Sequence, residues 1–166
     1  MFLRALEPED LDVLYEIEND LELWEFSNST SPISRYTLRQ YIASCKNDIF
    51  EDGQLRMAID VNGTLVGLID LFEFNPLHRR AEVGIVIRKT YRHKGYGKKA
   101  LCQLANMASS TIGLHQLYAI VSCTNTYAVN LFRSSGFVGQ QVLKEWLVSS
   151  TGEPHDALLF QRFLKT

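Results

Sequence analysis

The sequence has only three cysteines and no long hydrophobic run. Cys45, Cys102 and Cys123 are odd in number, widely spaced and form no CxxC pair, which argues against a disulfide framework. No apolar stretch approaches the roughly 18–20 residues that span a bilayer. The start of the chain turns acidic where a signal peptide needs a basic end followed by an apolar stretch. We therefore expect a cytoplasmic protein without a membrane partner.

Linkers, repeats and low-complexity tracts are also missing from these 166 residues. With 46% hydrophobic and 22% charged residues, the chain has the composition of an ordinary globular protein. We therefore expect a single domain over residues 1–166. The formal net charge of −2 argues against a nucleic-acid partner held by bulk charge. The four histidines are scattered without metal-ligand spacing, so we expect no metal site.

The charges are distributed unevenly along the chain. Residues 1–30 hold nine acidic residues against Arg4 alone, and residues 78–99 hold eight basic residues against Glu82 alone. Each block is explained equally well by a solvated face. Taken as a pair, the blocks predict a cationic ligand near the first and an anionic ligand near the second.

Hydrophobic periodicity and turn signals predict an α+β fold. The predicted strands cover residues 2–6, 55–61, 64–74, 80–87, 115–122, 140–148 and 157–163. The predicted helices cover residues 8–21, 34–46, 95–110 and 125–135. The Asn62-Gly63 pair is a strong signal for a hairpin between the second and third strands. In the first helix, Leu11, Leu14, Ile17 and Leu21 are predicted to form the buried face.

A basic loop with two glycines joins the strand at residues 80–87 to the following helix. Such a junction presents free backbone N–H groups and the positive end of the helix dipole, and glycine lets an anion approach the main chain. A Walker loop is excluded because GxxxxGK[ST] is absent. Gly95, Gly97 and Ala100 match the dinucleotide pattern GxGxxG/A, but its acidic residue about 20 positions on is missing. Arg92-x-x-Gly95-x-Gly97 matches [QR]xxGx[GA].

With this loop, the chain resembles the GNAT superfamily of N-acetyltransferases, whose [QR]xxGx[GA] loop cradles the pyrophosphate of acetyl-coenzyme A. Residues 81–85 (AEVGI) look like the fourth strand of that superfamily. Residues 125–137 look like its fourth helix and the strand after it, and the closing hairpin looks like its last two strands. Residues 67–71 and 78–82 look closest to spermidine N-acetyltransferases, of which the ribosomal-protein alanine acetyltransferases are near relatives.

The resemblance implies a GNAT-type fold, with a central mixed, mostly antiparallel sheet of six to seven strands flanked by about four helices. The sheet is expected to split where the fourth and fifth strands diverge. The implied activity is acetyl transfer from acetyl-coenzyme A to a primary amine by direct attack in a ternary complex. A polyamine or another small cationic amine is the expected acceptor, since an acidic helix attracts cations. A protein N-terminal amine, a non-catalytic acetyl-coenzyme A sensor and a homo-oligomer remain open.

The resemblance also implies where the co-substrate binds. The fourth strand is expected to hold the pantetheine arm through its backbone and to donate an N–H to the thioester carbonyl, stabilising an oxyanion. The loop is expected to wrap the pyrophosphate mostly by main-chain N–H groups, with Lys94 and Lys98 adding charge. The expected contacts are Ile85, Val86, Ile87, Arg92, His93, Lys94, Gly95, Tyr96, Gly97, Lys98 and Asn125.

The catalytic groups are less complete than the co-substrate loop. Glu82 occupies the place of a family glutamate that accepts a proton from the amine, although a simple pair with Arg80 explains it as well. Phe132 stands where the family usually has a tyrosine that protonates the departing thiolate, and phenylalanine has no proton to donate. Tyr127 and Cys123 are the nearest substitutes in sequence. Otherwise the thiolate leaves unassisted, as a thiol of pKa ~8.5 can.

Several aromatic residues lie around the loop between the first two predicted helices, namely Trp24, Phe26 and Tyr36. The family builds its acceptor pocket from this region, which favours a pocket role. Filling of the core is an equally good explanation from sequence alone.

Overall fold

One mixed β-sheet forms the centre of the computed structural model, which describes residues 1–24, 26 and 30–165. Its strands are β1 (Phe2–Arg4), β2 (Leu55–Val61), β3 (Thr64–Asn75), β4 (Arg80–Ile87), β5 (Gln116–Ser122), β6 (Val138–Val148) and β7 (Pro154–Phe163). The described α-helices are α1 (Leu11–Glu18), α2 (Leu21–Trp24), α3 (Arg35–Ser44), α4 (Ile49–Asp52), α5 (Tyr96–Met107) and α6 (Thr126–Ser134). Short 3-10 turns cover Pro8–Asp10 and Lys89–Tyr91, and a π-helical turn, Ala108–Ile112, extends α5.

The strands lie in the order β1-β2-β3-β4-β5-β7-β6. Neighbouring strands are antiparallel except for β4 and β5, which are parallel. The predicted mixed, mostly antiparallel sheet is therefore confirmed. The β2–β3 hairpin turns at Asn62 and Gly63, with φ angles of 53° and 81°. Positive φ at both positions suits the right-handed twist of a hairpin, which is why this dipeptide is such a strong signal.

The pairing between β4 and β5 is short. It joins Arg80 to Gln116, Ala81 to Leu117 and Glu82 to Tyr118. Beyond Glu82, β4 continues to Ile87 paired with β3, while β5 continues to Ser122 paired with β7. The two strands therefore separate after Glu82 and Tyr118, and we call this place the fork. The predicted divergence of the fourth and fifth strands is confirmed.

Helices cover both faces of the sheet. On one face, Leu101 and Leu104 of α5 are fully buried in the cluster that contains Ile69 and Leu117 of the sheet. On the other face, α1 and α3 pack against β2 and β3, with Leu14 among the fully buried residues. Alternation along each strand sends its side chains to the two faces in turn. Residues of β4 and β5 that flank the fork are thus divided between the α5–α6 side and the α1–α3 side.

The first predicted helix is interrupted after α1. The Asn19 side chain donates to the Ile33 carbonyl at 3.1 Å and accepts from the Ile33 amide at 2.9 Å, which fixes the chain where the helix ends. Leu14 and Ile17 are buried as expected, but Leu21 in α2 is 71% exposed. The prediction that Leu21 belongs to the buried face is wrong because the helical register does not continue through Asn19.

The other predicted elements are present with boundaries that move by a few residues. The β4 bounds agree with the prediction, and Ser34 caps α3 by accepting from the Thr37 amide at 3.1 Å. The prediction of about four helices misses α2 and α4, each of four residues. Among the described helices, none is long and apolar enough to cross a membrane.

Candidate functional site

The loop from β4 to α5 presents unpaired backbone amides. His93 and Gly95 both adopt left-handed φ angles, 61° and 78°, which turn the chain into α5. Gly95 occupies the N-cap position and has no side chain to cap the helix. Within the described part of the chain, the amides of Tyr96, Gly97 and Lys98 have no hydrogen-bond acceptor. A helix of 12 residues that begins with free amides and a positive dipole end is suited to bind an anion.

The two loop glycines have different structural roles. A Cβ on Gly95 would meet no atom within 4 Å, so its positive φ is what favours glycine there. A Cβ on Gly97 would lie 3.1 Å from a methyl carbon of Leu131 and 3.6 Å from a side-chain carbon of Ile87. Gly97 therefore lets α5 lie close to α6 and to the end of β4.

Arginine side chains fasten this loop to the sheet. The Arg92 Nε donates to the Ile87 carbonyl at 3.0 Å, and the Arg88 side chain donates to the Leu65 carbonyl at 3.0 Å. The Lys94 ammonium lies 5.2 Å from the centre of the Tyr91 ring. The Arg92 side chain uses its Nε to hold the loop on the end of β4, and the predicted contact of Arg92 with a pyrophosphate stays a prediction.

The start of α6 lies beside the same loop. The Asn125 side chain accepts from the Ala128 amide at 3.1 Å and so caps α6. The rings of His93 and Tyr127 are 5.3 Å apart, which links the loop to the first turn of α6. The structure therefore brings the predicted loop residues and Asn125 to one end of the fork. Asn125 also has a structural role that the sequence analysis did not give it.

Phe132 of α6 is a core residue. Its side chain is 3% exposed, and its ring lies 5.0 Å from that of Phe137 and 5.8 Å from that of Phe160. These aromatic contacts explain the residue by packing alone. Tyr127 and Cys123 are the two residues that the sequence offered in place of the missing tyrosine. The Tyr127 ring contacts His93, and Cys123 is exposed, with its amide donating to the Asp156 carbonyl.

Glu82 lies at the fork with its side chain half-buried. It is opposite Phe72 of β3 and Tyr118 of β5, so these three side chains share one face of the sheet. Burial raises the pKa of Glu82, and the nearby Glu73 carboxylate raises it further, whereas the Ile120 amide and the Tyr118 hydroxyl lower it. The net result is a carboxyl whose pKa lies above its usual value.

The alternative role of Glu82, a simple ion pair with Arg80, is absent from the described residues. Among the described residues, no salt bridge joins the two side chains, and Arg80 is not among the groups that perturb the pKa of Glu82. Tyr118 is the neighbour that the sequence analysis missed. The sequence analysis predicted the two strands at 80–87 and 115–122, but neither their parallel pairing nor its register could be read from the residues.

Next to Glu82, the same face holds a charged network. Arg56 of β2 binds Asp70 at 2.8 Å and Glu18 of α1 at 2.6 Å. Gly84, opposite Asp70, has no side chain, and a Cβ there would lie 3.1 Å from the Phe72 ring and 3.7 Å from an Asp70 carboxylate oxygen. Gly84 thus lets the Phe72 ring pack against the backbone of β4 beside Asp70.

Most of the acidic block near the start of the chain is neutralised within the molecule. Five of its members form salt bridges, namely Asp10 with Arg4, Asp12 with Arg35, Glu16 with Arg88, Glu18 with Arg56 and Glu22 with Lys89. Two of these partners come from the basic block. Residues of the two blocks, far apart in sequence, therefore meet across α1, α2 and the end of β4. A cationic ligand near the first block and an anionic ligand near the second stay predictions. Glu25 of the block lies outside the described residues.

The aromatic residues near α2 do not fill the core. Phe26 is 47% exposed and Tyr36 is 66% exposed, while the Trp24 indole donates to the Glu18 carbonyl at 2.8 Å. No group of three or more histidine, cysteine or acidic side chains that could hold a metal occurs in the described ranges.

Comparisons with known proteins agree with this geometry. A family model described as "Acetyltransferase (GNAT) domain" matches residues 1–138. Spermidine N(1)-acetyltransferase of Escherichia coli is 27% identical over 89% of this chain and 78% of its own length. A putative ribosomal N-acetyltransferase of Bacillus subtilis is 27% identical over 98% of this chain and 90% of its own. The crystal structure of spermidine N-acetyltransferase from Vibrio cholerae with CoA and spermine superposes with a TM-score of 0.85 at 26% identity, covering 98% of this chain and 94% of that one.

Proposed function

The chain belongs to the acetyltransferase (GNAT) family, and from that premise we propose that its acetyl acceptor is a polyamine such as spermidine or spermine. It is an acetyltransferase that takes its acetyl group from acetyl-coenzyme A. The observation that carries the polyamine proposal is the half-buried Glu82 carboxyl at the fork, with a second acidic residue, Glu73, directly after its strand partner Phe72 in β3. The similar proteins named for spermidine, and the similar structure named for spermine, support the same class of acceptor.

The residues around the fork fit the co-substrate. The free amides at the start of α5 and the left-handed Gly95 form a backbone anion site for a pyrophosphate. Past Glu82, the edge of β4 that faces β5 has no paired strand among the described residues, so its backbone is available to the pantetheine arm. We assign these contacts to residues 85–87, to residues 92–98 and to Asn125. Bound there, acetyl-coenzyme A supplies an activated acetyl group as a thioester.

We assign Glu82 as the group that binds the amine and accepts its proton. An alkyl amine arrives protonated at neutral pH because its pKa is near ~10.4. A carboxylate at the fork attracts this ammonium and accepts its proton, directly or through one water molecule. Burial raises the pKa of Glu82 towards the operating pH, which makes it a better proton acceptor than an exposed carboxylate.

Glu73 provides the second negative charge for an acceptor with several amines. It lies at the irregular end of the β3–β4 pairing, with a φ of 47°, and its carboxylate is close enough to raise the pKa of Glu82. Attraction of the cation therefore comes from the fork rather than from the acidic helix, whose carboxylates are largely paired. We expect a rise in the KM for spermine as salt increases, because exposed carboxylates are screened.

The test is thiol release by the purified protein with acetyl-coenzyme A and an amine panel. The panel contains spermidine, spermine and a short peptide with an N-terminal alanine. We expect turnover with the polyamines, a large loss in E82Q, and full activity in the matched control E153Q, whose carboxylate lies in the exposed β6–β7 turn. Turnover of the peptide without turnover of either polyamine would contradict the proposal and indicate N-terminal acetylation of a protein. Binding of acetyl-coenzyme A without any thiol release would support the sensor alternative.

A further inference from the structure

An aromatic ring, that of Phe72, lies at the fork beside Glu82. Phe72 of β3 is the strand partner of Glu82, and its side chain is partly exposed. We propose that Phe72 is a specificity-determining residue, whose ring is the apolar surface on which the alkyl chain of the acceptor amine packs. This inference rests on the proposed function and deepens it, because it names a group that selects an alkylamine over a peptide amine.

The register and Gly84 define the position of the ring. Opposite residues of an antiparallel pair have Cβ atoms about 4.5–5.5 Å apart on one face of the sheet, so the Phe72 side chain begins beside that of Glu82. A ring carbon of Phe72 lies 3.1 Å from the place that a Cβ of Gly84 would take. Gly84 is two residues beyond Glu82 and on the same face of β4, after the last pairing with β5 in the described residues. The ring therefore extends along β4 from Glu82 into the opening of the fork.

Contacts with the core do not account for this ring. In the part of the chain that the structure describes, neither of the two buried clusters includes Phe72, and it is not among the side chains packed against them. Within the same residues, the ring stacks on no other aromatic ring and lies under no cationic side chain. Phe74, two residues later, packs against the core and lies 5.2 Å from Phe50. Phe72 thus provides an apolar surface that a ligand can use.

The surroundings of the ring favour an alkyl chain. The proposed positions of the amine at Glu82 and of the co-substrate arm at residues 85–87 lie on either side of Gly84, so the two reactants meet beside the ring. Its other neighbour, Asp70, is paired with Arg56 at 2.8 Å. Each methylene group that is fully buried against an apolar surface improves affinity about fourfold. A peptide backbone on the same surface would instead lose its hydrogen bonds to water without replacement.

The first experiment measures KM and kcat for spermidine and spermine in wild type, F72A, F72Y and the matched control F2A. Phe2 is an exposed phenylalanine of β1, three strands away from β4. In F72A we expect the KM to rise about tenfold, because methylene groups lose their apolar contact. The kcat should stay within about twofold, since the ring holds the acceptor equally in the ground state and the transition state. F72Y keeps the ring and should keep the wild-type KM, as should F2A.

A merely structural role of Phe72 gives a different result. In that case F72A would lower the Tm and the kcat and leave the KM for both polyamines unchanged, which would overturn the inference. A second readout depends neither on turnover nor on the stability of F72A. With coenzyme A and saturating spermine, wild type should show NOEs between spermine methylene protons and the Phe72 ring protons, which are assigned by their change in F72Y.

Absence of these NOEs would also overturn the inference. The two proposals can fail separately. If the polyamines are turned over and F72A keeps the wild-type KM, only the inference about Phe72 fails. If the peptide with an N-terminal alanine is turned over and the polyamines are not, the proposed acceptor fails and the inference about Phe72 fails with it.

Discussion

Substitution of the two loop glycines separates backbone geometry from packing. Gly95 has a φ of 78° and open space around the position of a Cβ. An alanine there is strained in the left-handed region by about 1–2 kcal/mol. For a chain of this size each kcal/mol lowers the Tm by roughly 2–4 °C. We therefore expect G95A to lower the Tm by about 2–8 °C.

The same substitution at Gly97 is expected to be mild. A Cβ there meets the two methyl carbons of Leu131 at 3.1 and 3.2 Å, and these are the ends of a flexible side chain. The crowding is offset by the better helix propensity of alanine, about 1 kcal/mol over glycine. We expect the Tm of G97A to stay within about 2 °C of wild type. A valine overpacks the contact with Leu131 by about 1–3 kcal/mol and should lower the Tm accordingly.

Thermal unfolding and calorimetry with acetyl-coenzyme A check both expectations. Relaxation of the strain in G95A moves the amides that follow it, so this variant should also bind acetyl-coenzyme A at least several-fold more weakly. G97A keeps those amides in place and should bind as wild type does. If G97A lost more stability and affinity than G95A, the explanation by left-handed backbone would be refuted, and close packing of α5 on α6 would be the controlling feature.

Three further outcomes are expected. Arg4 pairs with two buried carboxylates, Asp10 at 2.6 Å and Asp60 at 2.9 Å. R4M should therefore lower the free energy of unfolding by about 3–5 kcal/mol and the Tm by about 6–20 °C, as measured by thermal unfolding. Burial alone raises the pKa of Asp10, but the hydrogen bonds from Arg4 and the Glu7 amide hold it below its usual 3.8. The stability that Asp10 contributes is therefore complete above that value and is lost as the pH falls through the pKa of the folded state. In acid unfolding, D10N should show a smaller dependence of stability on pH than wild type. K94A should weaken acetyl-coenzyme A binding only about fivefold in calorimetry, because the exposed Lys94 is partly screened, and a loss beyond a hundredfold would contradict a mainly backbone site.

Local signals were sufficient for much of the fold. Asn62-Gly63 predicts its hairpin because both residues tolerate positive φ, and that conformation is decided within the turn. The alternating pattern predicts the observed bounds of β4 because it, too, depends only on residues close together in the sequence. The loop motif around Gly95 likewise depends on neighbours in sequence. These features required no knowledge of distant parts of the chain.

The errors come from partners far apart in sequence. Asn19 ends α1 by bonding to Ile33, 14 residues away, and helical periodicity contains no sign of that contact. The salt bridge between Glu16 and Arg88 joins the two charged blocks across 72 positions, so block counting overestimated the charge left for ligands. The position of Tyr118 beside Glu82 was not predicted because it depends on the register between β4 and β5, which only the assembled sheet defines.

The short pairing at the fork also has a consequence for the lifetime of the protein. In the part of the chain that the structure describes, three residue pairs join β4 to β5, and so connect the four-strand part of the sheet, β1 to β4, with the part formed by β5, β7 and β6. If acetyl-coenzyme A binds at the fork as proposed, it binds the native state and not the unfolded chain, so at about a hundred times its Kd it adds roughly 2.7 kcal/mol to the free energy of unfolding. The unfolded fraction, which proteases remove, then falls about a hundredfold when acetyl-coenzyme A is abundant. We therefore expect the protein saturated with acetyl-coenzyme A to resist proteolysis longer than the protein without it.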